Sequence, residues 1–421
     1  MKYKPSIFNL EIPYKNQYIL YNTYSGALCI LDKSLTDCIN EETIGTYVKQ
    51  GFFVDERLNE LNRLLIERNR ELYTTRVRNL HIEIAPTMKC QAHCWYCFES
   101  SCHERCTMSH NTTQDVVNYI VNRINMTQCE RVSLLFFGGE PLLAIDQIIS
   151  IGSEIRKICQ EKDIHFYSEM ISNGIAFNNT VADSIIPAIS LSRIQITFDG
   201  MRETHNYSKG IQCFDKVVDN IVANATKTNI SIRINVSSNN KDEIDKLVDY
   251  LLVEKKLDGK VRIYLARVDD LDSCEISKDD CLDNFSFFEF RNEFLKYAIK
   301  KYKSFKINDL LPNVKRNYCG YEKISQMLIG PEGELYRCQR SILDKNNSIG
   351  DIYNGSFYTN NELAYIRDLP LECMIPCRFL PACFGGCPNE RKKGNKQFSC
   401  DLIKSKIIND LIAYVDAVMS K

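Results

Sequence analysis

The chain has 421 residues, enough for two or three domains, and its 44% apolar and 25% charged residues are those of a globular protein with a full core. A net charge of −1 leaves no global pull toward nucleic acid or an anionic membrane. No run approaches the roughly 18 apolar residues of a membrane-spanning helix, and MKYKPSIFNLEIPYKNQ lacks the apolar core of a signal peptide, so a cytoplasmic protein with no membrane partner is expected.

Residues 1–78 read as a first part. SIFNLEIPYKNQYILYNTYSGALCIL is strand-like in its Ile, Tyr and Leu content, with a turn at Tyr-Ser-Gly. LTDCINEETIGTYVKQGFFV and ERLNELNRLLIERNRELY read as helices, with a short extended piece at GFFV. From 79 to 303 strand and helix patterns alternate. Strands are predicted at 79–86, 131–139, 165–174, 193–200, 230–238 and 260–268. Each precedes a helix, at 112–124, 142–159, 178–188, 214–225, 241–255 and 284–302. Thr112 and Asp115 supply a capping signal for the first of these helices. Near-continuous Ile, Val and Leu strands between helices predict a parallel sheet with helices outside. Six such units give an α/β fold class, a partial (β/α)6 barrel related to the eight-unit TIM type.

In parallel sheets of this kind chemistry sits at the C-terminal ends of the strands. Cys90, Cys94 and Cys97 follow the first strand, and Gly138-Gly139-Glu140-Pro141 ends the second. Ser172-Asn173-Gly174 ends the third, and Asp199-Gly200 the fourth. One rim therefore gathers the unusual residues, and one active site is expected there. Arg233 and Asn235 alternate with Ile232 and Ile234, which turns them inward either as site residues or as barrel filling.

Cysteine is the outlier, with 19 residues. A chain this long has no need of disulfides, and reduced thiols in tight groups point to metal. They gather in 90–106 and 319–400; Cys29, Cys38, Cys129, Cys159, Cys213, Cys274 and Cys281 are scattered and read as small core residues. Structural zinc needs four ligands, and here His93 would have to complete the set beside Cys94. A [4Fe–4S] cubane fits better: three thiolates hold three irons and the fourth stays open.

At this point the sequence resembles the radical S-adenosylmethionine superfamily, whose signature is Cys-x3-Cys-x2-Cys after the first strand of a partial (β/α)6 barrel. Cys90, Cys94 and Cys97 match it, with Tyr96 as the aromatic residue before the last. The resemblance implies that the open iron chelates S-adenosylmethionine. One electron then cleaves it to methionine and a 5′-deoxyadenosyl radical, which abstracts a substrate hydrogen. It also implies an external electron donor such as a flavodoxin or ferredoxin. Gly138, Gly139 and Glu140 match the family's GGEP loop, with Glu140 facing the methionine ammonium. Thr197, two residues before Asp199, matches a family residue that touches the cofactor, and Ser172 and Asn173 would shape the ribose side. Lys209 stands where the family often has arginine, and lysine cannot supply the bidentate fork.

Residues 304–421 resemble the SPASM domain, which binds two auxiliary [4Fe–4S] clusters and makes three in all. Cys377, Cys383 and Cys387 follow its Cys-x5-Cys-x3-Cys core, while Cys373 and Cys377 are spaced by three residues where the family usually has two. By position Cys373, Cys377, Cys383 and Cys400 hold one cluster, and Cys319, Cys338 and Cys387 the other. The second has an open iron unless Cys274 or Cys281 closes it; paired zinc sites are the alternative. SPASM proteins mostly modify peptides, and an open iron suits a substrate thiolate. A thioether crosslink in a ribosomally made precursor peptide is therefore expected, as in sactipeptide and ranthipeptide synthases. Carbon–carbon crosslinking, epimerisation and a non-catalytic iron–sulfur electron carrier are the alternatives. Sulfatase maturation is disfavoured, because Gln339 follows Cys338 where that group has an aspartate base. Residues 1–78 resemble the winged-helix element that binds leader peptides, with a structural cap on the barrel as the alternative. Cys102 and Cys106 are either hydrogen donors or bystanders.

Overall fold

The computed structural model describes residues 2–35, 37, 43–74, 77–100, 106–268, 280–312, 314–357, 359–360, 369–375, 377–389 and 396–419. The N-terminal part holds the antiparallel meander β2 (Asn9–Tyr14), β3 (Gln17–Asn22) and β4 (Leu28–Leu31). A two-stranded pair joins β1 (Tyr3–Pro5) to β5 (Phe53–Asp55). The helices here are α1 (Ile44–Gln50) and α2 (Glu60–Tyr73). Besides the turn expected at 24–26, the strand-like stretch turns at Lys15, whose φ is +53°.

Six strands then alternate with helices: β6 (Asn79–Ile84), β7 (Arg131–Phe136), β8 (His165–Ser172), β9 (Leu191–Phe198), β10 (Asn229–Val236) and β11 (Val261–Arg267). They are parallel neighbours in chain order, and Ile84 lies level with Phe136, Ser172 with Ile196, and Val236 with Arg267. The rim expected to carry the site is thus a physical edge. β12 (Met327–Ile329), from the tail, adds to β6 in parallel. The sheet continues antiparallel through β13 (Glu334–Tyr336), β14 (Gly350–Asp351) and β15 (Gly355–Ser356).

The covering helices are α3 (His110–Thr127), α4 (Ile145–Glu161), α5 (Asn179–Ala188), α6 (Arg202–Lys209), α7 (Phe214–Asn224), α8 (Ile244–Asp249) and α9 (Asn284–Lys301). α3 starts earlier than its Thr112 signal: Ser109 is the N-cap, and its hydroxyl accepts from the Thr112 amide. The helix predicted at 241–255 is broken, with a 3-10 turn before α8 and a π turn over Tyr250–Glu254 after it. Leu80, Ile82, Ile84, Leu134, Phe136, Ile194, Ile196 and Ile232 form the core with the helices' apolar faces. Among the described residues no helix is long and apolar enough to cross a membrane.

The C-terminal helix, Lys396–Met419, received no assignment from sequence. It covers the N-terminal meander: Ile407, Leu411 and Val415 pack with Leu10, Ile12, Ile19 and Tyr21.

Candidate active site

Chemistry at the rim starts with the loop after β6. His93 N–H donates to the Lys209 carbonyl (2.8 Å), and Trp95 Nε1 donates to Ser208 Oγ (3.2 Å), so α6 anchors the cysteine loop. A Cβ on Gly138 would lie 2.4 Å from the Thr87 carbonyl oxygen, and one on Gly139 equally close to those of Met88 and Lys89. The glycine pair is therefore required by the cysteine loop itself, which crosses directly over it.

A cavity of about 380 Å³ opens at this rim. Cys90, Cys94 and Cys97 line it together with Tyr96, Gly138, Gly139, Ser172, Asn173, Thr197, Lys209 and Arg233. Asn235 and Arg267 contribute from β10 and β11, and Gln339 and Arg340 from the tail. Burial, reinforced by a carboxylate at each (Glu140 at Cys90, Asp199 at Cys94, Glu99 at Cys97), holds the three above the ordinary thiol range, so metal binding must displace their protons. Among the described residues no three His, Cys, Asp or Glu side chains converge on a point where one metal ion would sit. Three thiols on one cavity wall suit a cubane, whose irons occupy separate corners.

Two carboxylates named from sequence sit behind the cavity wall. Glu140 is fully buried; its Oε1 accepts from Ser172 Oγ (2.8 Å) and the Leu142 amide (3.1 Å), and its Oε2 from the Asn173 amide (2.8 Å). Three of about four acceptor positions are thus taken by protein donors, so in this structure Glu140 braces Ser172 and Asn173. Burial raises its pKa, and these donors oppose the rise. Asp199 is also buried. Its carboxylate accepts from Tyr96 OH (2.6 Å) and Asn235 Nδ2 (3.1 Å) and pairs with Lys209 Nζ (3.1 Å). Lys209 Nζ also donates to Tyr96 OH (2.9 Å). Burial pulls each group toward neutrality, but the pair wins: Lys209 is held well above the lysine range and Asp199 below the carboxylate range. Lys209 therefore spends its charge on Asp199 and Tyr96, while still reaching the cavity wall.

Residues 86–240 match the family model of a 4Fe-4S single cluster domain. The chain is 24% identical over 325 residues to a cysteine-type anaerobic sulfatase-maturating enzyme of Clostridium perfringens, covering 71% of this chain and 85% of that protein. It is 22% identical over 239 residues to the radical SAM cyclopropyl synthase TigE of Paramaledivibacter caminithermalis, covering 46% of this chain and 48% of that one. The chain is thus similar to radical S-adenosylmethionine enzymes, the family that its cysteine motif resembles. Solved structures agree on the fold. The structure of anSMEcpe with bound AdoMet and Cp18Cys peptide superposes with a TM-score of 0.63 at 20% identity, covering 82% of this chain and all of that one. Streptococcus suis SuiB bound to precursor peptide SuiA gives 0.54 at 15% identity, covering 93% of this chain and 97% of that one.

In the tail of this enzyme the cysteines fall into two groups. Burial, then the Glu322 carboxylate and the thiols of Cys387 and Cys338, push Cys319 up to about 12. Burial with Cys373, Cys400 and Cys377 pushes Cys383 up to about 11. Each thiol thus has as electrostatic neighbours the partners named for it from sequence. Cys106 is exposed, beside Glu332, Glu334 and Lys345, and does not line the cavity. Cys102 and Cys274 lie outside the described residues.

Sequence reasoning missed two carboxylates. Glu83, on β6, accepts from Tyr321 OH (2.6 Å) and Gln339 Nε2 (2.8 Å), so a buried acid stands behind the amide that lines the cavity. Glu99, two residues past Cys97, lines the cavity itself; burial alone raises its carboxyl to about 7. An acid inside the apolar run NLHIEI was the signal for Glu83. Nothing in the spacing marked Glu99.

Proposed function

We propose that this enzyme installs a thioether, Cys sulfur to carbon, in a ribosomally made precursor peptide. In this reading it uses S-adenosylmethionine and three [4Fe–4S] clusters, with electrons from a flavodoxin- or ferredoxin-type donor. Cys90, Cys94 and Cys97 would hold the cluster that serves S-adenosylmethionine. When bound and reduced, that cluster supplies the electron that releases the 5′-deoxyadenosyl radical. Gly138, Gly139, Ser172, Asn173, Thr197 and Arg233 would bind the cofactor, with Glu140 and Asp199 fixing the residues that touch it. Cys373, Cys377, Cys383 and Cys400 would hold a complete auxiliary cluster, and Cys319, Cys338 and Cys387 one with an open iron.

The observation that carries the reading is the tail's entry into the catalytic cavity. Gln339 and Arg340, directly after Cys338, line the same space as Cys90, Cys94 and Cys97. A substrate thiolate bound at the Cys319 group would thus lie beside the carbon from which hydrogen is taken. The bound peptides named for anSMEcpe and SuiB support a peptide substrate.

The test is anaerobic. The reconstituted enzyme, S-adenosylmethionine and reductant are given the cysteine-containing peptide encoded beside its gene. The expected product is lighter by two hydrogens per event and has one alkylatable thiol fewer. Two hydrogens lost with all thiols free would replace the thioether by a carbon–carbon bond. Sulfatase maturation is the second reading, favoured by the Clostridium perfringens relative. It would instead yield an aldehyde that hydrazide reagents label. Gln339 stands against it, since an amide accepts no proton at neutral pH.

A further inference from the structure

The cavity contains a carboxylate that neither the clusters nor S-adenosylmethionine accounts for. Glu99 is 6% exposed, and among the described residues its Oε1 has no hydrogen-bond partner. Arg233, Arg267 and Arg340 line the same cavity, but among the described residues none of them donates to that oxygen. Arg233 is turned to Asn235 Oδ1 (2.8 Å), and Arg267 to the Leu282 carbonyl (2.9 Å). A buried carboxylate left without a partner is costly, and a ligand entering the cavity would complete it. A neutral N–H donor would satisfy one lone pair but leave the charge uncompensated; a cation does both.

We propose that Glu99 is a specificity-determining residue, whose carboxylate takes a lysine or arginine side chain of the substrate peptide as it enters the catalytic cavity. This rests on the peptide reading above. The other cation available is S-adenosylmethionine, through its ammonium and sulfonium. The cofactor residues named above lie on the loop after β7, the ends of β8 and β9, and β10. Glu99 lies instead on the cysteine loop, two residues past Cys97, so affinity for S-adenosylmethionine is read separately in the test.

The test measures binding and needs no turnover. Immobilised holoenzyme with S-adenosylmethionine is offered a synthetic peptide library with one fixed cysteine and randomised neighbours. Retained members are identified by mass spectrometry. The wild-type enzyme is expected to enrich Lys- or Arg-bearing members about tenfold over norleucine-bearing ones. Glu99→Gln, which keeps shape and an acceptor oxygen, should lose that preference, Glu99→Asp should retain part of it, and Glu99→Lys should turn it toward Asp and Glu. Iron content and affinity for S-adenosylmethionine are measured for each variant. The proposal is overturned if the wild-type enzyme shows no enrichment, or if Glu99→Gln enriches basic peptides equally. A loss of S-adenosylmethionine affinity with peptide preference intact would assign Glu99 to the cofactor and also overturn it. Retained peptides that are never crosslinked would refute the thioether reading and leave this one standing.

Discussion

Lys209 and Asp199 are 3% and 1% exposed, so each is tolerable only because the other is there. Replacing Lys209 by Met strands the Asp199 carboxylate and should cost about 3–5 kcal/mol. Lys209→Met with Asp199→Asn should cost distinctly less, because no buried charge is then uncompensated. Urea unfolding of the two variants checks this, and equal losses would mean that the pair is not coupled. His205 gives the neighbourhood a pH dependence. Its ring stacks near Phe198 and Phe214, and its Nδ1 accepts from the Asp199 amide (3.3 Å). Burial, partly opposed by Asp199, lowers it from 6.5 to about 4. Between those values the unfolded chain binds a proton that the folded chain refuses, so stability falls as pH falls through that window, by up to about 3 kcal/mol. His205→Gln keeps an acceptor and should flatten the slope of urea stability against pH between about 6.5 and 4. At this scale spacing was enough to bring Cys90, Cys94 and Cys97 to one rim, where all three line the cavity. The sequence was silent on Glu83, Glu99 and the partners of Asp199, which meet only when distant elements converge.

At the scale of elements, the parallel strands were legible because burial on both faces demands continuous Ile, Val and Leu. α6 was not, since the residues it buries are His205, Asn206, Ser208 and Lys209, which give no apolar period. It forms because the start of α7 needs it: Asn206 Oδ1 accepts from the Cys213 and Phe214 amides at 2.8 and 2.9 Å. β12 is three residues long, too short for any periodicity to show. The C-terminal helix does carry an apolar stripe, Ile407, Leu411 and Val415, but what it covers lies some four hundred residues earlier in sequence. Leu411 is fully buried in that contact. Leu411→Ala should cost about 3 kcal/mol, and the loss should be local to the meander. Limited proteolysis should cut residues 9–31 faster in the variant while the iron content stays unchanged. Uniform cleavage along the chain would show that the helix instead supports the whole fold.

For the whole molecule, the first and last parts of the chain interlock beside the barrel. Three side chains on one face of α2 grip the loop that carries Cys319: Glu67 pairs with Arg316 (2.7 Å), Arg68 with Glu322 (3.3 Å), and Glu71 with Lys323. The outer two pairs are partly exposed, and each is worth at most about 1 kcal/mol. Arg68 and Glu322 are buried, and Glu322 also accepts from the Tyr318 amide (2.7 Å), next to Cys319. The conformation of that cysteine's loop thus depends on a guanidinium delivered by the N-terminal part. Arg68→Leu would leave Glu322 buried without that charge, at a cost of about 3–5 kcal/mol concentrated on the loop. If Cys319, Cys338 and Cys387 hold a cluster, the variant should lose about one third of its iron after reconstitution. A cluster held by Cys90, Cys94 and Cys97 would persist, so that cleavage of S-adenosylmethionine continues while peptide modification stops. Iron and sulfide analysis, with deoxyadenosine and peptide mass measured on the same sample, separates the outcomes. Full iron with both activities intact would mean that α2 merely abuts the Cys319 loop. Loss of all iron would mean that the N-terminal part is needed for the fold as a whole. Only the intermediate result makes α2 the strut that holds one metal group in place beside the catalytic cavity.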